Sequence, residues 1–375
     1  MNLSDRTPNL KLRSSLNPST RDGRLRELDG WRAVSVLLVI VHHIGAYQHP
    51  SLARSAFMLS LFEGIGPLGV KVFFIISGFV ICRLLIIEEE RFGTASLKAF
   101  YIRRVCRIIP PFYVYSAIIC LPLSLGLIKG PWRGIFSGGF FLEDLYPALS
   151  GNWFMGHSWS LAVEEQFYLV FPTLWVLMRR AGRIRIFVGI FFLIAAWNVS
   201  AAGIGWEQIV IPSARAGFAC ICCGVLVASL ETQARTIAKA VPAVVVAGLA
   251  LILLWQPNGA VGWRLALYES IFVPPALALV LVFSLERGKL LRAFLCSRAV
   301  QAVGVTSYGI YLWQELFTAP AKDYGPSGRS ISFLLPLLFA VVPLSYLFVE
   351  KPAMRLGKRL TERIRLDRVR THAMR

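Results

Sequence analysis

An all-α, polytopic membrane protein is the fold class this sequence predicts, on three observations. Hydrophobic residues make up 56% of the 375 positions. Charged residues make up only 16%, against about 25% in an ordinary soluble domain. Apolar runs of roughly 18 to 22 residues recur from Trp31 to Phe348, each long enough to cross about 30 Å of hydrocarbon as a helix. No stretch is left over that could build a separate soluble domain.

The runs place candidate spans at 32–47, 66–86, 108–128, 158–178, 186–203, 209–229, 241–256, 264–285, 302–319 and 331–349. An even number returns the chain to its starting side, so about ten transmembrane helices put both termini in the cytosol. The charges agree with that topology. If residues 1–30 are cytosolic, alternate connections collect thirty of the forty Lys and Arg, and the opposite connections hold five. Such a bias is the positive-inside signature. It also explains the net charge of +19 without nucleic acid, because the basic residues sit at segment ends and not on one face. The expected division is a basic cytosolic tail (1–30), a membrane domain (31–350) and a second basic cytosolic tail (351–375) with nine Lys and Arg.

The N-terminal tail carries Arg6, Lys11, Arg13, Arg21, Arg24 and Arg26 and lacks a short apolar core followed by a small-residue cleavage site, so it reads as a tail and not a signal peptide. The seven cysteines lie in or beside apolar runs and are odd in number, which argues against a disulfide framework. The cytosolic connections, such as 88–104, 179–185 and 286–292, are short and charged. On the outer side the longest connection, Lys129 to about His157, is rich in Gly and aromatics and carries Glu143 and Asp144. Its Trp132 and Trp153 suit either a carbohydrate-facing surface or interfacial anchoring. Walker A loops, GxGxxG and Cys/His metal spacings are absent from the sequence, so neither a metal nor a permanently bound cofactor is expected.

Ionisable residues inside spans are costly and therefore functional candidates. In RELDGWRAVSVLLVIVHHIG (26–45), Asp29 and Arg32 are one turn apart, and His43 follows Arg32 by about three turns, or about 16 Å, on the same helix face. His42 points roughly 100° away. A neutral imidazole at this depth suits a general base; a histidine bonded to a backbone carbonyl is the structural alternative. Arg32 is also placed to pair with Asp29 at the interface.

The second constellation is GHSWSLAVEEQFYLVFP (156–172), where Ser160 and Glu164 are four apart and Phe167 and Tyr168 follow on the next turn. Asp29, Trp159, Ser160 and Tyr168 make up the expected substrate-contacting set. A buried Glu to Arg pair holding two helices together is the bland alternative for Glu164. The third segment, LKAFYIRRVCRIIPPFY (97–113), offers Arg103, Arg104 and Arg107 and then a double proline that should bend or restart the helix. Arginine forks suit the phosphates of CoA, while topology alone would also place arginines here.

These three segments, in order, resemble membrane acyltransferase family 3, bacterial polytopic O-acyltransferases that decorate surface polysaccharides and related glycolipids. The resemblance extends through GPLGVKVFFIISGFVI (66–81), SYGIYLWQ (307–314) and FVEKPA (348–353). It implies a bacterial inner-membrane enzyme of ten or eleven spans that takes acyl-CoA, acetyl-CoA on family precedent, from the cytosol as co-substrate and meets a glycan or glycolipid acceptor outside. Residue by residue, Arg32 and His43 match the family's essential arginine and histidine, Ser160 and Glu164 its SxxxE segment, and Arg103, Arg104 and Arg107 its arginine run associated with CoA. Gln314 departs from the family, which often has histidine there, and is assigned no proton transfer. An extra outer hydrolase-like domain found in some members is not expected within this length.

The expected function is therefore O-acyl transfer, with His43 as general base, Arg32 holding CoA or orienting the channel, and Ser160 with Glu164 positioning the acceptor. Direct transfer and a covalent acyl-histidine are both compatible with these residues. A transporter or flippase using Lys71, Arg215, Glu164 and His43 as a polar path is the first rival. A non-catalytic membrane scaffold is the second, and it does not require so many intramembrane charges.

Overall fold

A computed structural model of the chain describes residues 25–48, 55–145, 151–178, 182–203, 212–254, 262–325 and 335–373. Most of the expected N-terminal tail, part of the 179–185 connection and residues 146–150 of the outer connection lie outside the described residues. The described chain is almost wholly helical. Its extended pairing is a single antiparallel bridge between Ile128 and Tyr324.

In chain order the helices are α1 (Arg26–His42), α2 (Ala56–Phe92), α3 (Leu97–Ser124), α4 (Trp132–Gly139), α5 (Ser158–Leu177), α6 (Arg183–Gly203), α7 (Pro212–Ser229) and α8 (Glu231–Ala240). There follow α9 (Ala243–Leu254), α10 (Trp263–Leu267), α11 (Val273–Glu286), α12 (Lys289–Leu295), α13 (Arg298–Val305), α14 (Ser307–Thr318), α15 (Leu335–Ser345) and α16 (Lys351–Ala373). Six described helices are long and apolar enough to cross a membrane, and α7 with α8, bent by 94°, makes a seventh if taken as one span. The chain is thus a multi-pass membrane protein. Helices also occupy the remaining candidate positions, but α5 carries Glu164 and Glu165, and α9 and α14 have only 12 residues each.

Two boundaries differ from expectation. The connection expected at 88–104 is mostly helix. Ser55 caps the start of α2 by accepting from Met58 N, the left-handed Gly93 (φ 77°) ends it, and Ser96 starts α3 by accepting from Ala99 N. The α2 helix of 37 residues would extend about 55 Å, well beyond the hydrocarbon. Nor does the double proline restart α3, which runs through Pro110 and Pro111 unbroken. Packing outweighs the lost amide donors: Ile108, Pro111 and Phe112 are buried, and the Tyr308 hydroxyl donates to the Ile108 carbonyl at 2.9 Å.

α1 is clamped on two sides by backbone-level approach. A Cβ at Gly69 would stand 2.6 Å from the Ser35 carbonyl, and one at Gly66 would collide with the His42 ring. On the other side, Gly304 of α13 sits against the Asp29 carbonyl. Small residues let helices approach closely where lipid supplies no hydrophobic drive. Three polar contacts lock the N-terminal end of α1: Trp31 Nε1 donates to Ser284 Oγ (2.8 Å), Arg292 pairs with Glu27 (2.6 Å), and Arg26 donates to the Cys296 carbonyl (3.1 Å). α1 therefore presents Arg32 and His43 from a rigid position.

Candidate functional site

Among the described residues, an inner and an outer cavity lie close to the expected site residues. The inner one, about 80 Å³, is lined by Arg32 of α1, Ser77 of α2, Arg104 and Arg107 of α3, and Ser160, Glu164 and Tyr168 of α5, with Tyr308 and Tyr311 of α14 closing it. Arg32 also contacts Asp29 at 3.4 Å. Glu164 accepts from the Ser77 hydroxyl (2.5 Å) and the Tyr168 hydroxyl (3.0 Å), and the Arg104 guanidinium lies 4.8 Å from the Tyr168 ring centre. The lining holds three guanidinium groups and one carboxylate, Glu164, a formal excess of positive charge that Asp29 behind Arg32 only partly offsets and that suits an anion.

The arginine run divides in space. Arg104 and Arg107 line the cavity, whereas Arg103 is exposed and pairs with Glu88 at 3.7 Å. Helical geometry alone would put Arg103 within about 40° of Arg107, so the pairing with Glu88, and not the helix period, accounts for the absence of Arg103 from the cavity.

His43 lies beyond the outer end of this cavity, at the first residue of a π-helical turn (His43–Gln48) that continues α1. Such turns are frequent at functional sites. Its Nδ1 is 2.8 Å from Gln314 Oε1, and Thr318 donates to the same amide oxygen at 3.0 Å. The Trp153 ring packs edge-on against the imidazole, with centroids 5.2 Å apart. His42, by contrast, bonds the Phe62 carbonyl through Nδ1 at 2.7 Å, which is a structural contact between α1 and α2.

The outer cavity, about 310 Å³, is lined by Glu143, Asn152, Trp153, Trp159, Lys322 and Asp323. Burial pushes the Glu143 carboxyl above its usual range, opposed by the hydrogen bond it accepts from Ser137. Trp153 therefore faces this cavity and also touches His43, while Trp159 packs on Phe74 of the inner cavity at 5.9 Å. His43 thus stands at the end of α1 between Arg32 of the inner cavity and Trp153 of the outer one, in the protein wall that parts the two spaces.

Of the residues expected from sequence, the fold brings Arg32, Arg104, Arg107, Ser160, Glu164 and Tyr168 to one cavity and Trp159 to the other, with Asp29 supporting Arg32. His43 is in the wall, lining neither cavity among the described residues, and Arg103 is apart. Sequence reasoning missed Ser77, Tyr311, Gln314 as a partner of His43, and the buried pair His157 and Glu315 at 3.9 Å. Glu315 was findable, being a carboxylate inside a candidate span. The hydroxyls carry no such signal.

Lys71, Arg215 and their partners form a separate network. Lys71 pairs with Glu269, and Arg215 Nε donates to Asn198 Oδ1 (2.9 Å), which in turn bonds Ser270. None of these residues lines either cavity among the described residues.

Comparison with known proteins places the chain in a family. A Staphylococcus aureus (strain COL) protein provisionally named an O-acetyltransferase is 27% identical over 368 residues, covering 88% of this chain and 57% of its own length. The O-acetyltransferase OatA of Staphylococcus aureus (strain NCTC 8325 / PS 47) is 24% identical over 372 residues with the same coverage. The chain thus spans 57% of the length of these relatives. No solved structure matches it significantly. The model of the acyltransferase domain of family 3 covers residues 25–350, taking in both cavities and the wall between them, and the chain belongs to that family.

Proposed function

We propose that the protein transfers an acetyl group from acetyl-CoA, entering the inner cavity from the cytosol, to a hydroxyl of a glycan or glycolipid held in the outer cavity, in a bacterial inner membrane. The observation that carries this reading is the placement of His43 in the wall between an arginine-lined cavity and a tryptophan-lined one. An acyl group must cross such a wall, and a base in it can serve both sides. The names of the two relatives favour acetyl as the group moved.

The chemistry follows from the hydrogen bonds. In this reading Gln314 Oε1 accepts from Nδ1–H of His43, and Nε2 presents its lone pair. Nε2 takes the acceptor hydroxyl's proton as that oxygen attacks the thioester carbonyl. The C–S bond then breaks, and the thiolate is protonated and leaves as CoA. Arg104 and Arg107 hold phosphate oxygens or pantetheine carbonyls of the donor, and Arg32, braced by Asp29, completes that clamp. Trp153 and Trp159 offer flat apolar faces to a sugar ring, with Glu143 and Asp323 as acceptors for its hydroxyls.

The transporter reading receives no support from geometry, since Lys71 and Arg215 are bound elsewhere. The test is transfer from radiolabelled acetyl-CoA to glycan in membranes containing the protein, together with mass spectrometry of surface glycans with and without the gene. Loss of one acetyl mass per modified unit on deletion is expected. An unchanged glycan and no label transfer would overturn the proposal.

A further inference from the structure

Behind His43, the wall holds a second imidazole with unusual surroundings. His157, at the N-terminal cap of α5, is 2% exposed, and both its ring nitrogens lack a hydrogen-bond partner among the described residues. Its side chain lies against the rings of Tyr115 (5.3 Å) and Tyr311 (5.8 Å), with the Glu315 carboxylate 3.9 Å from Nδ1. An unpartnered buried polar group costs about 1–3 kcal/mol. A phenylalanine in this aromatic pocket would not carry that cost, so stability does not explain the histidine.

The position is informative. One turn further along α5, Ser160 lines the inner cavity and shares a 2.7 Å hydrogen bond with Tyr311, the residue on which His157 packs. On the preceding side, Gly156 and Trp153 line the outer cavity. Trp153 joins the two imidazoles, packing on His43 and donating from Nε1 to the Glu315 carbonyl at 3.2 Å. Adjacent residues of α14 thus serve two histidines: Gln314 faces His43 and Glu315 faces His157.

The two partners differ in chemistry. A neutral amide leaves an imidazole neutral and basic, whereas a carboxyl group can share a proton with the imidazole beside it. Acyl transfer to an alcohol requires both states, a base for the hydroxyl and an acid for the departing sulfur. We propose that His157, supported by Glu315, is the general acid that protonates the CoA thiolate, complementing His43 as the base. The balance closes: the hydroxyl proton goes to His43 Nε2, the new C–O bond forms, the C–S bond breaks, and the His157 proton goes to sulfur. Return of a proton from His43 to His157 resets the pair, so the net transfer is from hydroxyl to thiol.

This inference rests on the acyl-transfer reading, and the experiment separates them. His157→Phe, His157→Gln and His43→Ala are compared in the full chain for thermal stability, acetyl-CoA affinity and transfer. A second donor, an acetyl thioester of a nitro-substituted thiophenol, leaves without help from an acid. His157→Phe is expected to be at least as heat-stable as the wild type, to bind acetyl-CoA normally, and to lose roughly 10²-fold in transfer. Most of that loss should be recovered with the aryl thioester, and His43→Ala should not recover. Near-normal transfer by His157→Gln, which cannot carry a proton, would overturn the acid role, as would equal loss with both donors. An active His43→Ala would instead sink the base assignment.

Discussion

His43 and Gln314 are 271 residues apart in sequence, and their side chains meet at 2.8 Å inside the membrane domain. The amide oxygen is fixed from behind by the Thr318 hydroxyl, one turn further along α14. The bond sets the direction of the imidazole at the point where α1 passes into a π-helical turn.

If that bond orients the base, Gln314→Leu should lower kcat by about 10²-fold, the cost of a misplaced catalytic group. The KM for acetyl-CoA should stay near the wild-type value, because Gln314 lies outside the arginine cavity. Steady-state kinetics at matched expression check this. A raised KM with unchanged kcat would place Gln314 in donor binding.

The two neighbouring histidines should behave differently. His43→Ala is expected to lose a factor of roughly 10² or more in transfer while insertion and acetyl-CoA binding persist. His42 bonds the Phe62 carbonyl and packs on Gly66, so His42→Ala should lower thermal stability by about 1 kcal/mol and leave kcat nearly intact. Transfer, stability and CoA binding measured on both variants decide between them. Equal loss of transfer in both would mean that α1 itself is damaged.

Topology is open to direct measurement. Positive-inside bias and the paired basic tails call for both termini on the cytosolic side, with the outer cavity on the opposite face. Reporter fusions at Arg375 and within 130–145 should give opposite signals. Identical signals would reverse the assignment of the cavities to donor and acceptor.

Fold class was legible because intramembrane composition is so constrained: 56% apolar residues in long runs leave few architectures. The charged members of the inner cavity were legible for a related reason, since Arg32 and Glu164 are costly in lipid and stand out. Helix boundaries were less so. Polar stretches such as Glu88 to Arg91 remain helical in α2, and packing carries α3 through Pro110 and Pro111, neither of which a span-length rule detects. The wall was the hardest part. Gln314, Thr318, His157 and Glu315 gain their meaning from which helix they face, and one sequence without its fold does not state that pairing.

The arginine run offers the clearest separation of binding from topology. Arg103, Arg104 and Arg107 lie in one short stretch, so charge-based insertion should weigh them alike. Their surroundings differ: Arg103 is 42% exposed beside Glu88, while Arg104 and Arg107 line the inner cavity. An exposed ion pair contributes at most about 1 kcal/mol, so Arg103→Ala should change neither abundance nor KM appreciably. A charge-assisted hydrogen bond to donor phosphate or carbonyl oxygens is worth roughly 1.5–3 kcal/mol. Arg107→Ala should therefore raise the KM for acetyl-CoA by roughly 10- to 100-fold with a smaller effect on kcat. Arg107→Lys should recover only part of that, since an ammonium cannot reproduce the guanidinium fork. Arg104 also braces the Tyr168 ring beside Glu164, so Arg104→Ala should add a loss of thermal stability that Arg107→Ala lacks. Direct binding of acetyl-CoA to each purified variant is the deciding measurement. If Arg103→Ala weakens binding as much as Arg107→Ala does, the donor is held at the exposed cytosolic end of α3 and not in the cavity.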